Sequence, residues 1–221
     1  MVTYLSKKSY QHKTLKEIKF KDLWGDYGVF TTMWIFGKPA KILFFKKHIK
    51  NLVKSLKAYN LNKPNIEKDI LKLIKFNIIS NRSYNHLFRV AINNKMVSIS
   101  LRERKTPKLK FNLKLVNYKR VEPEFKNLKY QLILKYLSKM DNTFSDIGLC
   151  FNKHILESGT SNIFFIKKNN VYSPSKKIYK GVTYKFFKKK LGKIINKDIP
   201  VNTLGDYDEI LLIGSGKGVT S

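Results

Sequence analysis

Glu157-Ser158-Gly159-Thr160-Ser161-Asn162-Ile163-Phe164, continuing as FIKKNNVYSPSKKIYKGVTYKFF over residues 165–187, is the stretch on which the fold turns. A carboxylate ends one apolar segment and opens into small hydroxyl residues. Residues 162–167 and 170–173 read as two strands joined by a turn. Gly181-Val182-Thr183 then opens a basic helix from about residue 183. A glycine before a helix start leaves the first backbone N–H groups at the positive end of the helix dipole, which suits a phosphate. An ordinary helix start has the same sequence. Gly214-Ser215-Gly216 follows the apolar strand 208–213 and sets a small hydroxyl between two glycines, a second place where backbone can approach an anion closely. Glu157 and its hydroxyls also read as a plain turn cap.

Composition bounds the answer. The chain has 221 residues, 43% of them hydrophobic, enough for a real core in one or two domains. No apolar run approaches the roughly 18 residues of a membrane span. The N-terminus, MVTYLSKKSYQHKTLKEIKF, is basic and lacks the apolar block of a secretory signal. A cytoplasmic protein without a membrane partner is therefore expected. One cysteine, Cys150, leaves no internal disulfide and no multi-cysteine metal site, and no metal is expected. The charge is 45 basic against 15 acidic residues, net +30, which points toward nucleic acid. Only five of the 45 are Arg (82, 89, 102, 104 and 120), so 40 are Lys. The lysines spread along the whole chain, beside abundant Ile and Asn, as an AT-rich coding sequence produces. Base and phosphate readers favour the arginine fork, so no specific nucleic-acid partner is expected.

Element types alternate along the chain. Val29–Phe36 reads as a strand, turned by Gly37-Lys38-Pro39 into Lys41–Phe45. Ile49, Leu52, Val53 and Leu56 have helical spacing, predicting a helix over about 45–59. Pro64 begins a second helix, with Ile66, Ile70, Leu73 and Ile74 on one face. Leu87–Ile92 and Met96–Leu101 read as a hairpin turned at Asn93-Asn94. Phe111–Tyr118 alternates like a half-buried strand, 126–139 reads as a helix, and 146–151 as a strand. The hydrophobic pattern is interrupted near 103–110. This predicts an α+β protein of two lobes, residues 1–105 and 106–221. Lys126, after Pro123-Glu124-Phe125, sits at the start of an apolar helix, where desolvation makes a lysine nucleophilic. With 40 lysines, composition alone selects none of them.

Taken together, these pieces resemble the fold-type IV pyridoxal-phosphate enzymes, or class IV aminotransferases. That family includes branched-chain and D-amino-acid aminotransferases and 4-amino-4-deoxychorismate lyase. The family's Glu-x-x-x-Ser-Asn-Ile/Leu-Phe appears as Glu157 to Phe164, its Thr-Pro as Ser173-Pro174, and its Gly-Ile-Thr turn as Gly181-Val182-Thr183. Its Asp-Glu-strand-Gly-Thr closure appears as Asp208-Glu209 through Gly214-Ser215. Its Gly-Asp-x-Gly-x-Phe appears as Gly25 to Phe30, and its His-Ile/Leu helix as His48-Ile49. The likeness runs over roughly residues 22–221. It implies a small α/β lobe and a larger β-barrel-like lobe with helices, a pyridoxal 5'-phosphate cofactor, a small-molecule substrate and a homodimer. Lys126 resembles the lysine that takes the cofactor's aldehyde, with Lys129 as the alternative. Glu157 would face the pyridine nitrogen, and Ser161 and Asn162 would also bind the cofactor. Gly181, Val182, Thr183 and Ser215 would hold the phosphate.

The sequence departs from the family at three places. Asn51 and Tyr184 stand where the family has arginines, the first of them a phosphate ligand, and relatives continue past the position of Ser221 into a further helical segment. Phe30-Thr31-Thr32 resembles the lyase more than the aminotransferases. Phe30 and Thr32, two apart on a strand, would face the substrate together, with Lys126 and Thr32 as the catalytic pair. The expected reaction is therefore release of pyruvate and 4-aminobenzoate, a folate-pathway step. The alternatives are an amino-acid aminotransferase, a degenerate member without catalysis, and a basic nucleic-acid-binding protein.

Overall fold

In the computed structural model, which describes residues 3–79, 81–108 and 110–221, the chain divides into two units. The first comprises the residues up to Arg104 together with Lys126–Lys129; the second comprises Lys105–Phe125 and Tyr130–Ser221. No helix among the described residues is long and apolar enough to cross a membrane.

The first unit contains β1 (Tyr4–Gln11), β2 (Glu17–Ile18), β3 (Gly28–Gly37), β4 (Lys41–Ile42), α1 (Phe45–Ala58), α2 (Ile66–Asn77), β5 (Tyr84–Asn93) and β6 (Met96–Glu103). The strands form one antiparallel sheet in the order β2-β1-β6-β5-β3-β4. The β5–β6 hairpin turns where the sequence predicts, and the reason is local. The Asn93 side-chain oxygen accepts from the Lys95 and Met96 amides, both at 2.9 Å, so the side chain imitates a turn of backbone. On α1, Ile49, Leu52 and Leu56 are buried, the stripe that their spacing requires.

β1 has no counterpart among the predicted elements. Its buried positions, Ser9 and Tyr10, are consecutive and lie on opposite faces, and neither is aliphatic, so hydrophobic alternation is absent. Polar pairing holds it instead. The buried Ser9 and Ser98 hydroxyls hydrogen-bond at 2.7 Å. Ser9 Oγ accepts from the Lys21 amide at 3.0 Å, and Ser98 Oγ donates to the Lys21 carbonyl at 2.8 Å.

The second unit contains β7 (Asn112–Asn117), α3 (Gln131–Leu137), β8 (Ser145–Phe151), β9 (His154–Ser158), β10 (Asn162–Lys167), β11 (Asn170–Ser173), α4 (Val182–Leu191), β12 (Ile195–Asn196), β13 (Ile199–Pro200), β14 (Glu209–Gly214) and β15 (Gly218–Thr220). They form a four-stranded sheet, β13-β9-β8-β7, and a five-stranded sheet, β12-β11-β10-β14-β15. Cys150 and Ile155 from the first sheet share a buried cluster with Ile163, Phe165 and Leu212 from the second. Phe164, between Ile163 and Phe165, points to the other side and packs with Tyr184 and Phe187 of α4. The period-two alternation of a strand thus divides β10 between core and helix. Both units mix helix and sheet, and the strand-rich second unit matches the α+β architecture expected from the sequence.

The helix expected over 126–139 is shorter. α3 begins only at Gln131, and Lys126 is not at a helix start. The segment before α3 is extended and pairs with β3. Phe30 N donates to the Lys126 carbonyl at 2.8 Å, Leu128 N to the Gly28 carbonyl at 2.9 Å, and Gly25 N to the Leu128 carbonyl at 2.8 Å. Groups committed to a strand edge are not free for helical bonds. Packing is close: a Cβ on Gly28 would lie 2.3 Å from the Ile92 oxygen and 2.7 Å from Leu128 Cδ1.

Candidate functional site

In the second unit, β9 carries Glu157 one residue from its end, buried at 5% exposure. Its Oε1 accepts from Arg120 Nε at 2.7 Å and its Oε2 from the Tyr179 amide at 3.1 Å. Arg120 is buried as well. It donates through its other nitrogens to the carbonyls of Pro123 (2.7 Å) and Phe125 (3.2 Å). Burial opposes the charge on this guanidinium, but the adjacent Glu157 carboxylate outweighs it and the pKa is raised. A planar fork that serves a carboxylate and two carbonyls at once is work for Arg and not Lys. The Tyr130 hydroxyl, raised in pKa by burial, donates to the Gly159 carbonyl at 2.7 Å. Arg120 was not among the residues expected at the site.

Asn162 and Gly181 are joined. The Asn162 amide donates to the Tyr179 carbonyl at 2.7 Å, and its oxygen accepts from Gly181 N at 3.1 Å. Asn162 thus braces the segment that brings one amide to Glu157 and another to the start of α4, with both ends of its side-chain amide on the backbone. Gly181 is the N-cap of α4, extended and without a side-chain cap, and no acidic residue occupies the first turn. The first amides of α4, from Val182 and Thr183, are therefore positioned for an anion. Thr183 and Ser215, 32 residues apart, meet through their hydroxyls at 3.2 Å. Ser161 lies against the start of the Ser215 turn: a Cβ on Gly214 would come within 2.8 Å of Ser161 Oγ. Glu157, Ser161, Asn162, Gly181, Val182, Thr183 and Ser215 therefore belong to connected elements of one unit. A buried anion-and-cation pair stands in one part, and hydroxyls with helix-start amides stand in another.

In the first unit, Lys126 Nζ lies 4.7 Å from the centre of the Phe30 ring. Phe30 meets Trp24 edge-on at 4.7 Å, and the Arg89 guanidinium lies 4.5 Å over the Trp24 ring. Arg89 also bonds Asp22 at 2.8 Å. It stands directly across from Thr32 in the β3–β5 register, and its buried Nε has no hydrogen-bond partner among the described residues. Thr32 and Phe30 share this face by strand alternation. Thr31 takes the opposite face, where its hydroxyl and His48 Nδ1 share a hydrogen bond of 2.9 Å. Burial, and then the charge of Lys126, push the His48 pKa down to about 3, so the ring is neutral. Lys126 is half-buried against an aromatic face and Lys129 is exposed; only the first has the desolvated setting that a nucleophilic amine needs. Asn51 is half-buried on α1, one turn beyond His48.

Arg89 and Arg120 escaped the sequence reading, yet a signal was present. In a chain where Lys outnumbers Arg 40 to 5, three of the five arginines, Arg89, Arg104 and Arg120, are buried. Arg120 in particular stands where the geometry of a fork, and not charge alone, is used.

A family model described as amino-transferase class IV matches residues 28–221. No curated protein sequence matches the chain. Among solved structures, the branched-chain aminotransferase of the archaeon Thermoproteus uzoniensis with norvaline superposes with a TM-score of 0.78 at 16% identity, covering 96% of this chain and 85% of that one. A proposed 4-amino-4-deoxychorismate lyase from Haemophilus somnus superposes with a TM-score of 0.68 at 20% identity, covering 89% and 100%. A hypothetical aminotransferase from Mycobacterium tuberculosis in its PLP-bound form gives 0.71 at 12% identity, covering 97% and 89%.

Proposed function

The chain belongs to the amino-transferase class IV family and is a pyridoxal-phosphate-dependent enzyme, and we propose that within it the chain acts as a 4-amino-4-deoxychorismate lyase, releasing 4-aminobenzoate and pyruvate. The observation that carries this reading is the Phe30–Thr32 face of β3. Two aromatic rings, a hydroxyl, the Lys126 amine and a buried guanidinium occupy it together. That set suits a six-membered ring that flattens as it becomes aromatic and carries carboxylates on itself and on its side chain: Trp24 and Phe30 offer apolar faces, and Arg89 a cation for a carboxylate.

The residues present fit the cofactor. Glu157, held by Arg120 and the Tyr179 amide, suits the pyridine nitrogen, and a carboxylate there favours the protonated ring. The Val182 and Thr183 amides with the Thr183 and Ser215 hydroxyls suit the phosphate. In the other unit, Lys126 is the lysine to which the family resemblance assigns the aldehyde. When bound, pyridoxal phosphate supplies an electron sink for charge left on the carbon that bears the amine. Lys126 Nζ takes the proton from that carbon and Thr32 Oγ1 delivers one to the departing three-carbon group. The neutral His48, bonded to Thr31, fixes the backbone between Phe30 and Thr32.

An amino-acid aminotransferase is the second reading, because a guanidinium in the same aromatic cluster as the lysine also suits the carboxylate of an amino acid. Incubation of the cofactor-loaded protein with aminodeoxychorismate, and separately with amino acids and a 2-oxo acid, separates the two. Formation of pyruvate and 4-aminobenzoate in equal amounts is expected. Amino transfer without pyruvate release from aminodeoxychorismate would assign the second reading.

A further inference from the structure

Asp146, the second residue of β8, is completely buried and takes no part in the site described so far. Its carboxylate accepts three hydrogen bonds and forms one ion pair. Oδ1 accepts from its neighbour's amide, Ile147 N, at 2.8 Å. Oδ2 accepts from Ser158 Oγ at 3.0 Å and Thr160 Oγ1 at 2.7 Å, and Lys217 Nζ is ion-paired with it at 3.4 Å. The two hydroxyls occupy both lone-pair sites of Oδ2, and the ammonium adds its charge beside them. Ser158 and Thr160 belong to the turn that follows Glu157. Lys217 belongs to the β14–β15 turn that carries Ser215, and its ammonium is nearly buried, 4.2 Å from the Phe111 ring centre.

The charge sets the direction of the local bonds. An anion at Oδ2 obliges the Ser158 hydroxyl to donate toward it, which leaves the Ser158 oxygen to accept from the Ser161 amide at 2.8 Å and the Thr160 amide at 3.3 Å. Those bonds close the turn immediately after Glu157. Space is limited too: a Cβ on Gly159 would lie 2.9 Å from Asp146 Oδ1 and 2.7 Å from Ile147 Cγ1. Ser161 in turn abuts Gly214, so the two turns touch directly as well as through the Asp146–Lys217 pair.

We propose that Asp146 is a positioning residue for the cofactor: with Lys217 it fixes the turn after Glu157 relative to the turn carrying Ser215, and so sets the span from the Glu157 carboxylate to the Thr183–Ser215 hydroxyls. The proposal rests on the reading that these groups hold the two ends of pyridoxal phosphate. Asp146→Asn keeps the shape but sets an amide N–H against hydroxyl and ammonium donors. Thr160→Val and Lys217→Met each withdraw one partner from the carboxylate.

The test measures the pyridoxal phosphate dissociation constant and the pH midpoint of the bound cofactor's absorbance, with the melting temperature of the cofactor-free protein as the control for folding. Glu157→Gln and Ser215→Ala test the underlying reading. Asp146→Asn is expected to weaken cofactor binding at least tenfold at temperatures where the protein is folded and to shift the absorbance midpoint. Thr160→Val and Lys217→Met are expected to weaken binding several-fold. A lowered melting temperature with unchanged affinity and midpoint would reduce Asp146 to a structural residue and overturn the proposal. Unchanged affinity in Glu157→Gln and Ser215→Ala would instead overturn the site reading and this proposal with it. If Asp146→Asn does not fold, the other two variants decide: wild-type affinity in both overturns the proposal.

Discussion

Replacing Arg120 by Met removes the cation 2.7 Å from Glu157 while keeping much of the side-chain volume. Removing one partner of a buried pair typically costs about 3–5 kcal/mol, so denaturant unfolding should show a loss of that order, accompanied by weaker binding of pyridoxal phosphate. Arg120→Lys should recover only part of both, because one ammonium cannot serve Glu157, Pro123 and Phe125 in the plane of a fork. Wild-type stability in Arg120→Met would contradict the account. Glu157 was legible in the sequence because its neighbours form a motif with fixed spacing. Arg120 was not, because 37 residues separate it from Glu157 and only the fold brings the two together. The same holds for Thr183 and Ser215: each was readable as a local turn, but their meeting was not.

At the scale of elements, the segment 126–128 and the helix α1 each fasten functional residues to β3. Gly28→Ala would force a Cβ into the Ile92 oxygen and Leu128. It should destabilise the protein and displace Lys126, seen as slower and less complete incorporation of cofactor. Incorporation at the wild-type rate and extent would mean that the edge pairing does not place the lysine. His48 gives α1 a dependence on pH. Its pKa falls from 6.5 when unfolded to about 3 when folded, so between these values the unfolded chain binds the additional proton. This contribution is fully present above about pH 6.5 and is lost as pH falls toward 3, with a slope of up to about 1.4 kcal/mol per pH unit. His48→Gln should flatten the fall in stability over that window, as followed by urea unfolding at several pH values; parallel curves would contradict it. Periodicity revealed α1, α2 and the hairpin because each buries a regular apolar stripe. It missed β1, which is held by serines, and it overextended α3, where Leu128, Leu132 and Tyr136 have helical spacing but Lys126–Leu128 spends its backbone on the β3 segment.

At the scale of the whole molecule, a net charge of +30 was the loudest feature of the sequence and told least about the site. The family was legible from six short motifs in order, whereas Arg89 and Arg120 were hidden among 45 basic residues. A lysine-rich surface attracts polyanions mainly through counterion release. Binding to duplex DNA should accordingly be weak, indifferent to sequence and abolished by moderate salt in an anisotropy titration; tight, salt-resistant binding to one sequence would make nucleic acid a true partner. The central claim is that Lys126 carries the cofactor, and its most direct test is borohydride reduction of the protein with pyridoxal phosphate followed by peptide mass mapping. The account predicts one label per chain, on Lys126, lost in Lys126→Ala and kept in Lys129→Ala. A label on Lys129, or labels scattered over the surface lysines with none at Lys126, would contradict it.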